Sequence, residues 1–213
     1  GMSLGLHESQ SRFWENIIGR SMSFIEVFLN QFQNLGSNFQ KYSAQDYYEY
    51  FNLVKPGLIR VEADEVTYHF HIMIRHELEK AMINKEIKVS EIEEAWNEKY
   101  KSYLGVTPQD EAHGVLQDIH WSMGAMGYFS TYSVGTVLSV MWKHHLENEL
   151  GPISSLLQEQ DGVKRIQGWL KEKMHQYGST YTFKDLLKKS LGEDLNTEYW
   201  KEYIRSKYSS IYN

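Results

Sequence analysis

Proline is nearly absent from this chain. Three prolines in 213 residues leave long stretches free of the residue that breaks a helix interior by removing a donor and clashing with the preceding turn. Within those stretches apolar side chains recur three or four apart, as at Trp14, Ile17, Ile18, Phe24, Ile25, Phe28 and Leu29. That period predicts helices and assigns the chain to the all-α class. The first helix is expected from His7 to about Leu35, closed by the turn residues Asn34-Leu35-Gly36-Ser37. A short helix follows Ser43 and ends near Lys55-Pro56-Gly57. Others are expected over 58–82 and 91–104. Thr107-Pro108 reads as an N-cap with proline at the first helical position. A long apolar helix over 128–150 stops at Gly151-Pro152. Helices opening near Gly151, Asp161 and Thr182, and one over 197–208, finish the chain. Only Ile87–Ser90 offers a brief strand. No repeat or low-complexity linker interrupts the pattern, so residues 6–213 read as a single helical domain. Residues 1–5 are set aside as a disordered start, with Gly1-Met2 resembling a cleavage scar before an initiator methionine.

Composition removes several classes of function. The chain has no cysteine, which excludes disulfides, thiolate metal sites and a cysteine nucleophile, and it fits a reducing compartment. A formal charge of −6 with no basic run argues against nucleic acid as a partner, because nothing is present to neutralise phosphates. No apolar stretch reaches the ~20 residues that span a bilayer, and no signal-peptide pattern opens the chain, so no membrane partner is expected. Fifteen Tyr and six Trp point to a well-filled interior or a cleft lined with rings.

Three segments concentrate chemistry. His7-Glu8-Ser9-Gln10 opens the first helix, where Glu8, Ser11, Arg12 and Glu15 share a stripe. From spacing alone this is a solvated face with i,i+4 ion pairs. The second segment is Ile59-Arg60-Val61-Glu62-Ala63-Asp64. Here Arg60, Asp64, Thr67, His71 and Arg75 follow one another at steps of four, three, four and four on an otherwise apolar helix. Buried charges must be paired or useful, so this stripe is either an Arg60–Asp64 pair with His71 hydrogen-bonded in the core, or a binding surface. His69 and His76 share a face as well; they hint at a metal pair but, with no third partner nearby, read as surface residues. The third segment is Gly114–Trp121, followed by Gly124–Tyr132. Its glycines make room, and Asp118, His120, Tyr128 and Tyr132 supply hydrogen-bonding groups; tight helix packing with tyrosine as filler is the plain alternative. No His-Glu-x-x-His occurs: Ser11 follows His7-Glu8 where a second histidine would stand, and Lys80 follows His76-Glu77. Neither a phosphate loop nor a Gly-x-Ser-x-Gly elbow is present.

His-Glu-Ser-Gln, Ile-Arg-x-x-Ala-Asp and Gly-x-x-Gln-Asp-x-His-Trp, in that order at 7–10, 59–64 and 114–121, resemble the later signature motifs of the carboxypeptidase Taq family. The flanks from Ser11 to Asn16 and from Gly127 to Gly135 agree as well, except that Ser130 stands where proline is common. The resemblance runs from Leu6 through the rest of the chain and implies the multi-helix C-terminal part of a zincin-like zinc metallocarboxypeptidase, cytoplasmic and often dimeric, acting on peptides. It implies Glu8 as a metal ligand and Arg60 as the group that grips the substrate's free carboxylate, a role that suits a planar guanidinium. It implies that Gln117, Asp118 and His120 line the groove that limits substrate length, with His120, Tyr128 or Tyr132 stabilising the oxyanion. Two zinc-binding histidines and the catalytic glutamate belong to the His-Glu-x-x-His motif, which these 213 residues lack. Catalytic zinc takes three protein ligands, so this chain alone is expected to hold zinc weakly or not at all and to be inactive. It is then a truncated enzyme, one half of a split peptidase completed by a missing N-terminal half, or a non-catalytic helical interaction module. The helices at 58–82 and 128–150 are too apolar to stand bare, and a homodimer is expected to cover them.

Overall fold

The computed structural model describes residues 3–212. It is 66% helix, with no strand among the described residues, in keeping with the all-α reading. Helix α1 (Leu4–Arg12) continues directly into a π-helical stretch, Phe13–Gly19. Then come α2 (Met22–Gln33), α3 (Ala44–Phe51), α4 (Tyr68–Ile83), α5 (Ile92–Leu104), α6 (Ser130–Leu150), α7 (Ile153–Leu156), α8 (Gly162–Lys173), α9 (Phe183–Leu191) and α10 (Glu198–Tyr212). Hydroxyl side chains start several of these helices by accepting an otherwise orphaned backbone N–H: Ser3 from Leu6, Ser21 from Phe24, Ser43 from Asp46 and Thr182 from Asp185. Left-handed Gly105 and Gly192 close α5 and α9.

The chain clusters into two compact units, one formed by the residues up to Asn52 and from Val134 onward, the other by Leu53–Ser133. In the first unit α6 is buried from Gly135 to Trp142 without a break, as expected of a helix that is apolar all round. Its Leu138, Met141, Trp142 and Leu146 join Phe13, Ile17, Ile18, Ile166 and Leu170 in one core. In the second unit Ile74 and Leu78 of α4 pack on Trp96, Tyr100 and Leu104 of α5, and a smaller cluster joins Tyr68, Ile72 and Phe129.

Several expected elements take a different form. The helix expected over 7–35 is two helices. The π stretch and Arg20 intervene, and the Ser21 hydroxyl, which donates to the Ile18 carbonyl and caps Phe24, supplies the competing local hydrogen bonds that end one helix and begin the next. The helix expected from residue 58 starts only at Tyr68. Asp64 accepts the backbone N–H groups of Val66 and Thr67 and the Thr67 hydroxyl, holding a turn, and Arg60–Glu62 form a single 3-10 turn. Asp64 therefore serves the backbone and is not the partner of Arg60. Thr107-Pro108 opens no helix. Pro108 is buried against Gly114, and the chain runs through turns to Gly127. The candidate strand at 87–90 is a loop entering a 3-10 turn, Val89–Glu91. Leu4 and Gly5 belong to α1, whereas the reading of Gly1-Met2 as a scar lies outside the described residues. The apolar side chains of α6 are covered within the first unit itself, so that helix no longer calls for an external partner; α4 leaves Phe70 and Met73 exposed.

Two glycines of α8 make opposite demands. A Cβ on Gly162 would lie 1.6 Å from the Leu156 carbonyl oxygen, whereas one on Gly168 would meet nothing within 4 Å. Gly162→Ala is expected to lose about 3 kcal/mol or more of stability through overpacking. Gly168→Ala should gain about 0.5–1 kcal/mol from reduced chain entropy. Urea denaturation of the two variants checks both signs.

Candidate active site

Asp118 sits between two guanidinium groups in the second unit. Its Oδ1 accepts from Arg60 Nε at 3.0 Å and Nη2 at 2.6 Å, and its Oδ2 accepts from Arg75 Nε at 2.7 Å. The side chains of Arg60 and Arg75 are 8% and 0% exposed. Gln117 completes the frame: its Oε1 accepts from the Arg60 backbone N–H and from Arg75 Nη2, while its Nε2 donates to the carbonyls of Leu58, His113 and Gly114. Burial alone would raise the Asp118 pKa. The hydrogen bond from Arg60 and the charges of Arg75 and Arg60 outweigh it and hold the group below the usual carboxylate range. Two cations on one anion leave the cluster with a net positive charge.

Rings surround this cluster. The Arg60 guanidinium lies 5.0 Å from the Tyr132 ring centre and 5.5 Å from that of Phe129, and Arg75 lies 4.5 Å from Trp96, all within cation–π range. Arg60 Nη1 also donates to the Tyr68 hydroxyl. His120 packs on Phe129 and Tyr128, with centroids 4.3 and 5.1 Å away, and its Nε2 is 3.1 Å from the Tyr132 hydroxyl. Its buried Nδ1 has no hydrogen-bond partner among the described residues. Burial and the charge of Arg60 hold His120 below the usual histidine value. His120, Tyr132, Arg60, Asp118 and Gln117 therefore form one connected network. Tyr128 joins it through ring contacts with His120 and Tyr132.

The polar stripe of α4 runs one step past Arg75. His71, Arg75 and Glu79 are buried at successive steps of four, which places them on one face. His71 Nδ1 is 2.9 Å from the Tyr100 hydroxyl, and burial, with the charges of Arg75 and Arg60, pushes its pKa down to about 3. Glu79 Oε1 accepts from Trp121 Nε1 at 2.8 Å. The repeat of four is the signal that finds Glu79; carrying it one step past Arg75 is sufficient. His69 lies 2.9 Å from the Ser133 hydroxyl through Nδ1, and His76 is exposed.

Glu8 belongs to the first unit. Its stem lies directly on the backbone of α6: a Cβ on Gly135 would come within 2.7 Å of Glu8 Cγ, so glycine is what allows the approach. The carboxylate pairs with Arg12 at 2.9 Å, and Arg12 and Arg20 both reach Glu15, the ion-paired face that spacing suggested. The rest of the motif anchors the helix. Buried Ser9 accepts from Trp142 Nε1, Gln10 bonds His175, and His7 is exposed. No group of three or more His, Cys, Asp or Glu among the described residues is placed to hold a metal ion. The Glu8 carboxylate is taken by Arg12, and the described residues alone do not fit a catalytic metal centre, which takes three protein ligands.

An all-helical frame that carries these three motifs in this order defines a metallopeptidase class. The chain belongs to the carboxypeptidase Taq (M32) metallopeptidase family, whose model matches residues 1–208. It is 44% identical over 208 residues to thermostable carboxypeptidase 1 of Pyrococcus furiosus and 41% identical over 213 residues to carboxypeptidase 1 of Bacillus subtilis. It covers 98% and 100% of itself in these matches but 42% of each relative, corresponding to their C-terminal portion. Among solved structures, the fold matches the Bacillus subtilis carboxypeptidase with a TM-score of 0.94 at 41% identity, over 100% of this chain and 43% of that one. It matches a Pyrococcus furiosus carboxypeptidase with a TM-score of 0.93 at 44% identity, over 98% and 42%.

Two consequences are measurable. Asp118→Asn keeps the shape but removes the charge that both guanidinium groups share, and a broken buried pair costs about 3–5 kcal/mol; that loss is expected in urea denaturation at pH 7. Unfolded histidine takes up a proton below about pH 6.5, whereas folded His71 does so only near pH 3. Stability should therefore fall as pH drops from 6.5 toward 3, by up to ~1.4 kcal/mol per unit from this one group. His71→Gln is expected to flatten that slope between pH 7 and 5, above the range where Asp118 titrates.

Proposed function

We propose that this chain is the carboxylate-gripping and groove-forming portion of a zinc metallocarboxypeptidase that removes C-terminal residues from peptides. The observation that carries the reading is the donor count at Arg60. A guanidinium has five N–H donors. Three are engaged, two with Asp118 and one with Tyr68, which leaves two for the paired oxygens of a carboxylate. The arginine is buried, so a carboxylate that reaches it is desolvated and the pairing is strong. Asp118 and Gln117 act as positioning residues that aim Arg60 and Arg75. His120, with its Nδ1 unpartnered, and the Tyr128 and Tyr132 hydroxyls supply hydrogen bonds to the peptide unit at the scissile bond, the oxyanion included. Glu8 contributes one metal ligand, and the remaining ligands come from a segment that carries His-Glu-x-x-His. Zinc, when bound there, activates water and polarises the peptide carbonyl. Until that segment is supplied, the 213 residues bind peptide carboxylates without cleaving them. Exposed Phe70 and Met73 on α4 favour a homodimer, which light scattering reads directly.

Calorimetry with an N-blocked dipeptide and its C-terminal amide tests this. The acid is expected to bind about tenfold or more tightly than the amide, the worth of a charge-assisted pair, and Arg60→Met should erase the preference. Equal affinity for acid and amide contradicts the reading of Arg60. Elemental analysis should find zinc well below one per chain. Stoichiometric zinc together with release of C-terminal residues would overturn the inactivity.

A further inference from the structure

We propose that the cavity bordered by the π-helical stretch, α6 and α10 in the first unit binds a free amino acid as its zwitterion. The cavity measures about 570 Å³, within the range of sites that hold small molecules. Every residue lining it belongs to the first unit, whereas Arg60 and its partners belong to the second. Asn16 and Ile17, in the middle of the π stretch, form part of its wall. Runs of π-helix are rare and are frequent at functional sites, and the side chain this one places at the cavity is Asn16. Asn16 is 4% exposed. The Tyr203 hydroxyl reaches its backbone carbonyl at 3.5 Å, while its side-chain amide makes no hydrogen bond among the described residues. A buried amide without a partner is costly, and the cavity is the side from which a partner can arrive.

Both signs of charge line the same space: Lys143 and Lys207, Glu147 and Glu202. Lys143 pairs with Glu147, whose other oxygen accepts the Ile153 N–H at 3.1 Å. Lys207 Nζ is held at the cavity by donating to the Tyr203 hydroxyl at 3.0 Å. The exposed Glu202 carboxylate makes no ion pair or hydrogen bond among the described residues. A ligand of one sign would be repelled by half of this set, whereas one that carries an ammonium and a carboxylate answers both. Glu202 suits the ammonium and Lys207 the carboxylate. The Asn16 amide donates through nitrogen and accepts through oxygen, so it can serve either. The rest of the wall is aromatic: Tyr48, Tyr199 and Tyr203 line it, and His144 packs on Tyr199 with centroids 4.3 Å apart. Such a wall favours a side chain with a ring, which makes phenylalanine the probe of choice.

NMR titration and calorimetry of the whole chain with L-phenylalanine test this. Saturable binding is expected at or below about 1 mM, with shifts at the Asn16 side-chain amide. N-acetylphenylalanine and phenylalanine amide each lack one of the two charges and should bind about tenfold more weakly, the worth of one charge-assisted hydrogen bond. Glu202→Gln should weaken phenylalanine about tenfold and leave N-acetylphenylalanine unchanged, because the blocked nitrogen carries no charge. Lys207→Gln should weaken phenylalanine and leave the amide unchanged. Asn16→Leu should weaken all three probes; if that variant does not fold, the two variants on α10 decide alone. No saturable binding of phenylalanine, equal affinity for the three probes, or undiminished phenylalanine affinity in Glu202→Gln overturns the proposal. Arg60→Met is expected to leave phenylalanine affinity as it is. A loss there places the amino acid at Arg60 and overturns the cavity, whereas equal binding of a blocked dipeptide acid and its amide bears on Arg60 alone.

Discussion

The second unit is organised by one carboxylate shared between two buried arginines. Asp118 is the only group in that cluster with a negative charge, and it contacts both Arg60 and Arg75. Each partner arrives from a different stretch of chain: a 3-10 turn, the middle of α4, and a segment of turns. Desolvating a guanidinium is expensive, and the expense is met only where hydrogen bonds replace water. Gln117 and the hydroxyls of Tyr68 and Tyr100 supply those bonds. Once they are in place, the irregular run from Pro108 to Gly127 has a fixed position without helix or sheet of its own. The network therefore substitutes for secondary structure in the part of the chain that carries the third motif.

The same accounting explains the state of the neighbouring histidines. Burial, and after it two guanidinium charges that disfavour a third cation, hold His71 and His120 both below their usual pKa. They differ in their surroundings. His71 is bonded to Tyr100 in a closed interior. His120 borders Tyr128 and Tyr132 at the loop; in each ring one buried nitrogen, Nε2 of His71 and Nδ1 of His120, makes no hydrogen bond among the described residues, and that of His120 lies 3.9 Å from Asp118 Oδ1. On the proposed reading of Arg60 as a carboxylate grip, a neutral imidazole beside it would exchange hydrogen bonds with a peptide without a change of charge next to the arginines.

Helix content was legible in the sequence because it depends on local spacing and on the rarity of proline. Most helix ends after Glu91 fall within a few residues of the expected positions for the same reason. What was not legible depends on side chains that redirect the backbone. Asp64 looked like the partner of Arg60 because both fit a period of four, yet a carboxylate so close to free N–H groups is drawn into a turn and removes the helix on which that period rests. Pro108 looked like a helix start, but its ring packs on Gly114 instead. The motif residues of the third segment were identifiable by type. Their pairing was not, since Arg60 and Asp118 are 58 residues apart and nothing local joins them. Gly135 was visible as a flank, but its purpose of letting Glu8 lie against a helix backbone emerges only from packing.

A division of labour follows within the motifs themselves. In His-Glu-Ser-Gln, His7 faces solvent and Glu8 an ion pair, while Ser9 and Gln10 tie α1 to Trp142 of α6 and to His175 beyond α8. In Gly-x-x-Gln-Asp-x-His-Trp, Gln117 and Asp118 have their hydrogen-bonding capacity consumed by the arginines and the backbone, and Trp121 is bound to Glu79. His120 alone among that motif's polar side chains retains a buried, unpartnered atom. Of the residues that make each motif recognisable, most therefore hold the one or two that are chemically free: Arg60 with two spare donors and His120 with one spare nitrogen. A substitution at a holding residue should therefore displace a free one from a distance, so change in either kind of position disturbs the same cluster through different physics.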